Sequence, residues 1–393
     1  MAAALTTPLT DTEERMARSV GWQPAELSYA WTKDQVDEPF RPAQFDDLVR
    51  IVTQEVNAAG LVIKDANRFI RRTVTAVLSG HVVIQGPPGT GKTTFVRILA
   101  KALGADLRTT TATAEWSTYD VVGGLRPAPE GGLEPVLGAV ADAALECARR
   151  VARTSGGANP AQLQATWLLV DELNRADIDK AIGSLYTVLS SVATDHLLDA
   201  PLELWFERPG KRELWLPSRF RIIGTMNDVD TSYVNTLSQG LTRRFQFVTL
   251  SVSTEPADQQ KEVESALTQA LAWVAQQRQI PARDVAAVLT AQQSVVTVLR
   301  DLLAFARNSP DVSWPLGTAQ VLSVWRTVLV PLQDALQPIP SEDLDEAIAD
   351  LIVPQAGALN EAALNSLGSW MQDHHLKTSE KAVTHLLNTT STF

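Results

Sequence analysis

A glycine-rich segment of eight residues has the composition of a phosphate-binding loop. Gly86–Thr93 reads Gly-Pro-Pro-Gly-Thr-Gly-Lys-Thr and fits the P-loop pattern G-x-x-x-x-G-K-[ST]. Its glycines let the backbone turn so that successive N–H groups point at a phosphate beside the N-terminal end of a helix. Lys92 supplies a positive charge to the β- and γ-phosphates, and the Thr93 hydroxyl is placed to bind Mg²⁺. The residues predicted to contact the nucleotide are Gly86, Pro87, Pro88, Gly89, Thr90, Gly91, Lys92, Thr93 and Thr94.

Two carboxylates follow a short apolar run and would supply the second half of such a site. Asp171 and Glu172 come directly after Trp167–Val170, which has the composition of a buried strand. Ligands bind outside the carboxyl ends of the strands in open α/β sheets. We expect Asp171 to hold Mg²⁺ through water, and Glu172 to polarise the water that attacks the γ-phosphate. The alternative is a helix N-cap with an acidic first turn.

Two further groups could contact the γ-phosphate. The apolar stretch Phe220–Gly224 leads to Asn227, whose amide could orient the attacking water or touch the γ-phosphate. Arg243 and Arg244 precede another apolar run. In a nucleoside triphosphatase they suggest an arginine finger, a charge offered to the nucleotide of a neighbouring subunit. Taken alone, paired arginines before a strand are an ordinary solvated basic turn.

The strands and helices predicted around these residues follow the order of a parallel α/β domain. An apolar run, the glycine loop and a helical stretch follow one another, as in the first unit of such a domain. Helical spacing before the loop predicts two helices joined near Gly60. After about residue 253 the apolar residues recur only at helical spacing, which indicates a second, all-helical unit. Predicted strands cover residues 81–85, 167–170, 220–224 and 245–252, a predicted hairpin covers 202–206 and 213–216, and predicted helices cover 93–103, 136–152 and 178–192.

Composition and charge exclude several classes of protein. The chain has 393 residues, 45% hydrophobic and 20% charged, as in an ordinary globular protein. Its net charge of −11 argues against a surface that is basic all over and binds nucleic acid non-specifically. No apolar run approaches the roughly 18 residues of a membrane-spanning helix, and the N-terminus lacks the pattern of a signal peptide. We expect a cytoplasmic protein whose single cysteine, Cys147, is buried and inert.

The motifs together resemble those of AAA+ ATPases of the clade that contains MoxR, dynein-type modules and McrB. The four segments that carry the resemblance are Gly86–Thr93, Asp171–Ala176, Gly224–Asn227 and Leu241–Phe245. The nearest match is the motor subunit of McrBC restriction systems. Four details favour that closer resemblance. They are Asp-Glu-Leu-Asn-Arg-Ala at 171–176, Trp-Ser-Thr-Tyr-Asp at 116–120 followed by Gly-Leu-Arg-Pro at 124–127, Met-Asn-Asp-Val-Asp at 226–230, and the ending Leu-Thr-Arg-Arg-Phe at 241–245.

The resemblance implies roles for individual residues and for partners. It implies a P-loop AAA+ core with a three-layer parallel sheet, followed by a helical lid. The implied catalytic residues are Glu172, Asn227, Asp230, Arg243 and Arg244, with Mg²⁺ held by Thr93 and Asp171. The nucleotide is ATP or GTP. The chain would assemble with copies of itself, by resemblance into a hexameric ring, and drive a nuclease or other effector subunit. Nucleic acid would be contacted only indirectly or through the pore, and a membrane not at all.

This sequence departs from the McrB pattern at two places. Asp228 and Thr231 replace a threonine and an arginine, which puts a preference for guanine nucleotides in doubt. The turn Leu316–Gln320 lies where relatives carry a sensor 2 arginine, so this chain is expected to lack one. We interpret Gln320 as a plain helix start.

The predicted organisation is an N-terminal arm over residues 1–45, an AAA+ α/β domain over 46–252 and a helical lid over 253–393. If the protein is a restriction-type motor, target recognition then lies in another polypeptide. Two alternatives stay open, namely a MoxR-like chaperone that works with a von Willebrand-type partner and a non-catalytic nucleotide-gated scaffold. The hairpin that carries Arg208, Lys211 and Arg212 either projects into a ring pore or is a solvated turn, and His374-His375 is expected to be surface.

Overall fold

The computed structural model describes residues 45–154, 165–208, 212–227, 239–278 and 283–390. Its contacts divide the chain into two compact units. The first contains the described residues of Met1–Glu55, Asn67–Gly86 and Lys92–Thr249. The second contains those of Val56–Ala66, Pro87–Gly91 and Leu250–Phe393. The phosphate loop therefore begins and ends in the first unit, while its central residues pack within the second.

A parallel five-stranded sheet forms the centre of the first unit. Its order is β2-β5-β8-β1-β9, and every pairing is parallel. The central strands are almost completely buried, which explains their continuous apolar runs. The strands are β1 (His81–Gly86), β2 (Ala105–Thr111), β5 (Ala165–Asp171), β8 (Ile222–Asn227) and β9 (Phe245–Thr249).

Helices and two small hairpins complete the first unit. One hairpin pairs β3 (Gly123–Pro127) with β4 (Leu133–Leu137), and the other pairs β6 (Leu202–Glu203) with β7 (Glu213–Leu214). The helices are α1 (Phe45–Ala58), α2 (Ala66–Ser79), α3 (Lys92–Ala102), α4 (Thr118–Val121), α5 (Ala139–Thr154), α6 (Ile178–Ile182), α7 (Thr194–Asp199) and α8 (Gln239–Thr242).

The second unit is helical in all its described residues. Apolar side chains from every long helix form one buried core. At its centre, Arg307 and Glu262 form a buried ion pair with contacts of 2.8 and 2.7 Å. The helices are α9 (Pro256–Arg278), α10 (Val285–Ala291), α11 (Gln293–Asn308), α12 (Thr318–Leu329), α13 (Ser341–Leu351), α14 (Glu361–Asp373) and α15 (Lys377–Thr390).

The predicted fold class, a parallel α/β domain followed by helices, is confirmed, with local corrections. The helix predicted over 136–152 begins at Ala139, because residues 133–137 form β4. The helix predicted over 178–192 is only α6, followed by short 3₁₀ turns. Strand β2 was not predicted, because it lies at the sheet edge and most of its side chains are polar and partly exposed. The helices around Gly60 and the hairpin at 202–216 are confirmed.

Candidate functional site

The ends of three strands and the start of α3 bring the predicted phosphate-site residues of the first unit together. In the register between β1 and β8, Gly86 lies opposite Asn227, the last residue of β8. Lys92 begins α3, and only 7% of its surface is exposed. Its Nζ donates hydrogen bonds to the Gly86 carbonyl at 2.9 Å and to Asn227 Oδ1 at 2.8 Å. These two bonds hold the ammonium at the end of the glycine loop, where a lysine can donate to phosphate oxygens.

The hydroxyl of Thr93, the second residue of α3, lies close to the carboxylate of Asp171 at the end of β5. Thr93 Oγ1 lies 3.2 Å from both carboxylate oxygens of Asp171. Thr225, on β8, also donates its hydroxyl to Asp171. Oxygen donors of these two types are the ligands that Mg²⁺ takes, and Mg²⁺ is commonly held by one or two carboxylates together with substrate phosphates. Thr93 and Asp171 therefore fit a magnesium site, and the described residues contain no cluster of three His, Cys, Asp or Glu side chains that would form a complete protein cage.

Glu172 occupies a strained backbone position next to Asp171. Its φ of 55° and ψ of 44° lie in the left-handed region, which costs a non-glycine residue roughly 1–2 kcal/mol. Its N–H donates to Thr225 Oγ1 at 3.2 Å, and its carboxylate forms an ion pair with Arg175 at 2.6 Å. The Arg175 side chain is 56% exposed and that of Glu172 30%, and an ion pair this accessible to water contributes only about 0–1 kcal/mol, so little free energy opposes its opening.

The sequence reasoning missed three residues that support this arrangement. Thr225 contacts both Asp171 and the Glu172 N–H. Asn174, which is buried, donates from Nδ2 to the Asn227 carbonyl at 3.1 Å. Arg175 pairs with Glu172. All three lie within the segments 171–176 and 224–227 that carry the resemblance, but no role was assigned to them; for Thr225, the further signal is a hydroxyl in a mostly apolar strand, which needs a partner when buried.

The two arginines before β9 have different environments. Arg244 donates to the Tyr186 carbonyl at 2.6 Å and the Gly240 carbonyl at 2.7 Å, and its guanidinium lies 4.4 Å from the Tyr186 ring centre. The Arg243 side chain is exposed and has no hydrogen bond or ion pair to a described residue. Arg244 therefore holds local structure, whereas the Arg243 side chain is exposed to solvent, and its role as an arginine finger stays a prediction.

The other predicted site residues are placed as follows. Residues Pro87–Gly91 pack within the second unit, with positive φ at Gly89 and Gly91 and a 2.8 Å bond from the Thr90 hydroxyl to the Pro87 carbonyl. The side chain of Thr94 is exposed on α3. Asp230 lies outside the described residues, as do Lys211 and the arm before residue 45.

A neutral histidine lies at the opposite end of β1 from the site. His81 Nδ1 accepts the Ile222 N–H at 3.0 Å. Burial, and secondarily the charge of Arg221, lowers the pKa of His81 to about 3. Arg221 is itself buried among backbone carbonyls, which include those of Val77 and Ser218, and burial lowers its pKa to about 10. These groups stabilise the sheet and are too remote from the strand ends to act in the site.

Cys147 and His374 both pack within their units. Cys147 is buried, as predicted, and burial raises the pKa of its thiol to about 12, which disfavours the thiolate; that it is inert stays a prediction. His374 stacks on Trp370 at 3.8 Å between ring centres. Its Nδ1 lies 2.8 Å from the Trp370 carbonyl, so this ring is packed rather than presented to a metal.

The first unit contains a segment that is similar to a known protein family. Residues 81–245 match the family described as AAA domain (dynein-related subfamily). The segment runs from the first residue of β1 to the first residue of β9 and includes every described residue that the sequence predicted for the site. This agrees with the resemblance to AAA+ ATPases of the MoxR and dynein-like clade. The closer resemblance to McrB stays a prediction.

Two individual proteins are similar to this chain. The Holliday junction branch migration complex subunit RuvB of Nocardioides sp. (strain ATCC BAA-499 / JS614) is 35% identical over 96 residues, which are 24% of this chain and 25% of that protein. The chain thus spans about a quarter of the length of this curated relative. A crystal structure of a protein from Cytophaga hutchinsonii ATCC 33406, assigned as an ATPase, is 14% identical. The match covers 79% of this chain and 88% of that one, with a TM-score of 0.36. Among the described residues, no helix is long and apolar enough to cross a membrane.

Proposed function

We propose, from the AAA domain at residues 81–245, that this protein is a Mg²⁺-dependent nucleoside triphosphatase that hydrolyses ATP. The observation that carries the proposal is the meeting of Lys92, Asn227 and the Thr93–Asp171 pair at one edge of the sheet. The bound metal would neutralise charge on the transferring phosphate. Each of the chain's own groups then has a separate task in phosphoryl transfer, which needs positioning and charge stabilisation more than covalent chemistry.

The first task is binding of the triphosphate. The backbone N–H groups of Gly86–Thr93 receive the phosphates at the start of α3, where the helix dipole also favours negative charge. Lys92 shifts from its acceptors, Gly86 O and Asn227 Oδ1, toward the β- and γ-phosphate oxygens. The exchange is favourable because an ammonium bonds more strongly to a phosphate than to a neutral amide oxygen.

The second task is activation of water. Glu172 carries the carboxylate that orients and polarises the attacking water, once its exposed pairing with Arg175 opens. Asn227, whose position is fixed by Asn174 and by the end of β8, holds the water or a γ-phosphate oxygen. Asp171 and Thr93 are the residues that would hold the metal.

We further propose that the active form is a ring of copies of this chain, which drives an effector subunit of a McrBC-like restriction or defence complex. The support for a ring is Arg243, which is exposed just before the edge strand β9 and has no side-chain hydrogen bond or ion pair to a described residue; in a ring it would complete a neighbouring copy's site. The support for a McrBC-like partner is the motif set at 116–127 and 171–176. A protein partner with a von Willebrand-type domain, rather than a nuclease, would favour the chaperone instead.

The test of nucleotide binding compares two lysines of the same helix. Lys92→Ala should lose ATP binding in calorimetry, because the triphosphate loses its main protein counter-charge. Lys101→Ala is the matched control, since Lys101 is exposed and its ammonium pairs with Glu55 at 2.8 Å. Lys101→Ala should bind ATP as the wild type does. Tight ATP binding by Lys92→Ala, or loss in both variants, would contradict the assignment of this loop.

A further inference from the structure

In the second unit, the start of α12 lies in backbone contact with the phosphate loop. The Ala319 N–H donates to the Gly89 carbonyl at 3.0 Å. A Cβ added to Gly317 would lie 2.6 Å from both the Gly89 carbonyl carbon and the Pro88 oxygen. The φ of −89° and ψ of 167° at Gly317 are open to any residue. Glycine is therefore needed here for close approach to the loop, not for its conformational freedom.

Gln320 fills the space beside the same loop residue. Its side chain is 8% exposed, and its Nε2 donates to Gln355 Oε1 at 2.6 Å. Gln355 is fixed in turn by a 2.7 Å bond from its Nε2 to the Leu351 carbonyl. Gln320 Oε1 has no hydrogen-bond partner among the described residues, and a Cβ on Gly89 would overlap it. The Gln320 carboxamide oxygen, which no described residue hydrogen-bonds, thus lies against the loop at Gly89, whose φ is +74°.

The buried ion pair of the second unit fixes both sides of Gly317. Arg307 Nε donates to the Leu316 carbonyl at 2.9 Å. The Thr318 hydroxyl donates to Glu262 Oε2 at 2.5 Å. Arg307 and Glu262 are themselves joined by two contacts and have side chains exposed by only 1% and 4%. Leu316 and Thr318, on either side of Gly317, are therefore both hydrogen-bonded to the same buried ion pair. These bonds oppose movement of the turn away from the loop.

We propose that Gly317 and Gln320 brace the phosphate loop in its nucleotide-binding conformation. They are positioning residues for nucleotide binding, and this inference rests on the proposed function. The brace is neutral: its contacts are a backbone hydrogen bond, a backbone-to-backbone approach and a carboxamide. A carboxamide can lie beside a triphosphate without repulsion, whereas a carboxylate of the same shape cannot. This gives Gln320 a role beyond that of a plain helix start.

The first test is the binding of ATP with Mg²⁺ to the full chain, measured by calorimetry in a Glu172→Gln background that slows turnover. Gly317→Ala should raise the Kd about tenfold or more, because the added methyl group forces the turn away from the loop. Gly368→Ala is the matched control in the same unit, since its added Cβ would make only an ordinary 3.6 Å contact with Val383. It should leave the Kd unchanged. Equal Kd values for both variants would overturn the inference.

The second test keeps the side-chain shape and changes its charge. Gln320→Glu should weaken binding of ATP by about tenfold and of ADP by less, since the γ-phosphate adds negative charge. Gln320→Met, which is similar in length and neutral, should bind ATP within a few-fold of the parent. If Gln320 served folding alone, both variants would lower the thermal midpoint and neither would change the ratio of ATP to ADP affinity. Failure of the parent protein to bind ATP would instead refute the proposed function itself.

Discussion

Arg243 and Arg244 are adjacent, yet the structure predicts opposite consequences for their removal. Arg244 contacts two backbone carbonyls and the Tyr186 ring, all within the first unit. Arg243 is exposed, and its side chain makes no hydrogen bond or ion pair to a described residue. Truncation of Arg244 to Ala should therefore reduce stability, whereas truncation of Arg243 should reduce turnover.

The sizes of the two effects follow from the contacts. A hydrogen bond from a charged donor contributes about 1.5–3 kcal/mol, and a cation–π contact about 0.5–1 kcal/mol. Since Arg244 is only half-buried and its contacts are not additive, we expect Arg244→Ala to lose about 2–4 kcal/mol of unfolding free energy. Arg243→Ala should change stability by less than about 0.5 kcal/mol, as at other exposed positions. An arginine finger contributes roughly 10³–10⁵ in rate, so turnover in Arg243→Ala should fall steeply.

Urea unfolding and phosphate release, measured on the same preparations, separate the two roles. Mixing Arg243→Ala with Glu172→Gln should restore part of the activity, because an intact Glu172 can then meet an intact Arg243 across an interface. The reasoning is refuted if Arg244→Ala keeps full stability and loses turnover, since the finger would then be Arg244. It is also refuted if mixing restores nothing and light scattering with ATP shows only monomer.

Two further predictions concern the carboxylate beside the metal site and the buried histidine. Glu172→Gln should bind ATP and Mg²⁺ but hydrolyse ATP roughly 10²–10⁴-fold more slowly, because an amide cannot polarise water. Glu134→Gln, which removes an exposed ion pair with Arg126, is the control and should keep normal turnover. Normal turnover in Glu172→Gln would contradict the role of Glu172. His81 has a folded pKa of about 3, below its ordinary 6.5, so the stability from its neutral form is complete above pH 6.5 and falls as the pH drops toward 3. Between pH 7 and pH 5 this loss is about 2 kcal/mol, and urea midpoints that show no such loss relative to His81→Asn would contradict it.

The strand ends of the site were predictable because each signal was local. The continuous apolar runs at 81–85 and 167–170 indicate buried parallel strands, and parallel strands place their carboxyl ends at one edge. Gly86, Asp171 and Asn227 each end such a strand, so their proximity follows from the topology.

Other features could not be predicted because they depend on contacts between distant segments. The different roles of Arg243 and Arg244 are set by Tyr186, which is far away in sequence. The brace at Gly317 depends on the Arg307–Glu262 pair and on the loop itself. Strand β2 was not predicted because it is an edge strand with mostly polar side chains. The spacing of its apolar residues does not distinguish such a strand from a loop.

Hydrolysis of ATP with Mg²⁺ at the strand ends can be measured directly as phosphate release by the purified full chain. The assay is run with Mg²⁺ and with EDTA, at concentrations where light scattering shows an oligomer. We expect steady release with Mg²⁺ and none with EDTA, because the adjacent Thr93 hydroxyl and Asp171 carboxylate would bind the metal. Equal release in EDTA, or no release by an oligomer that binds ATP and Mg²⁺, would contradict the proposed hydrolysis.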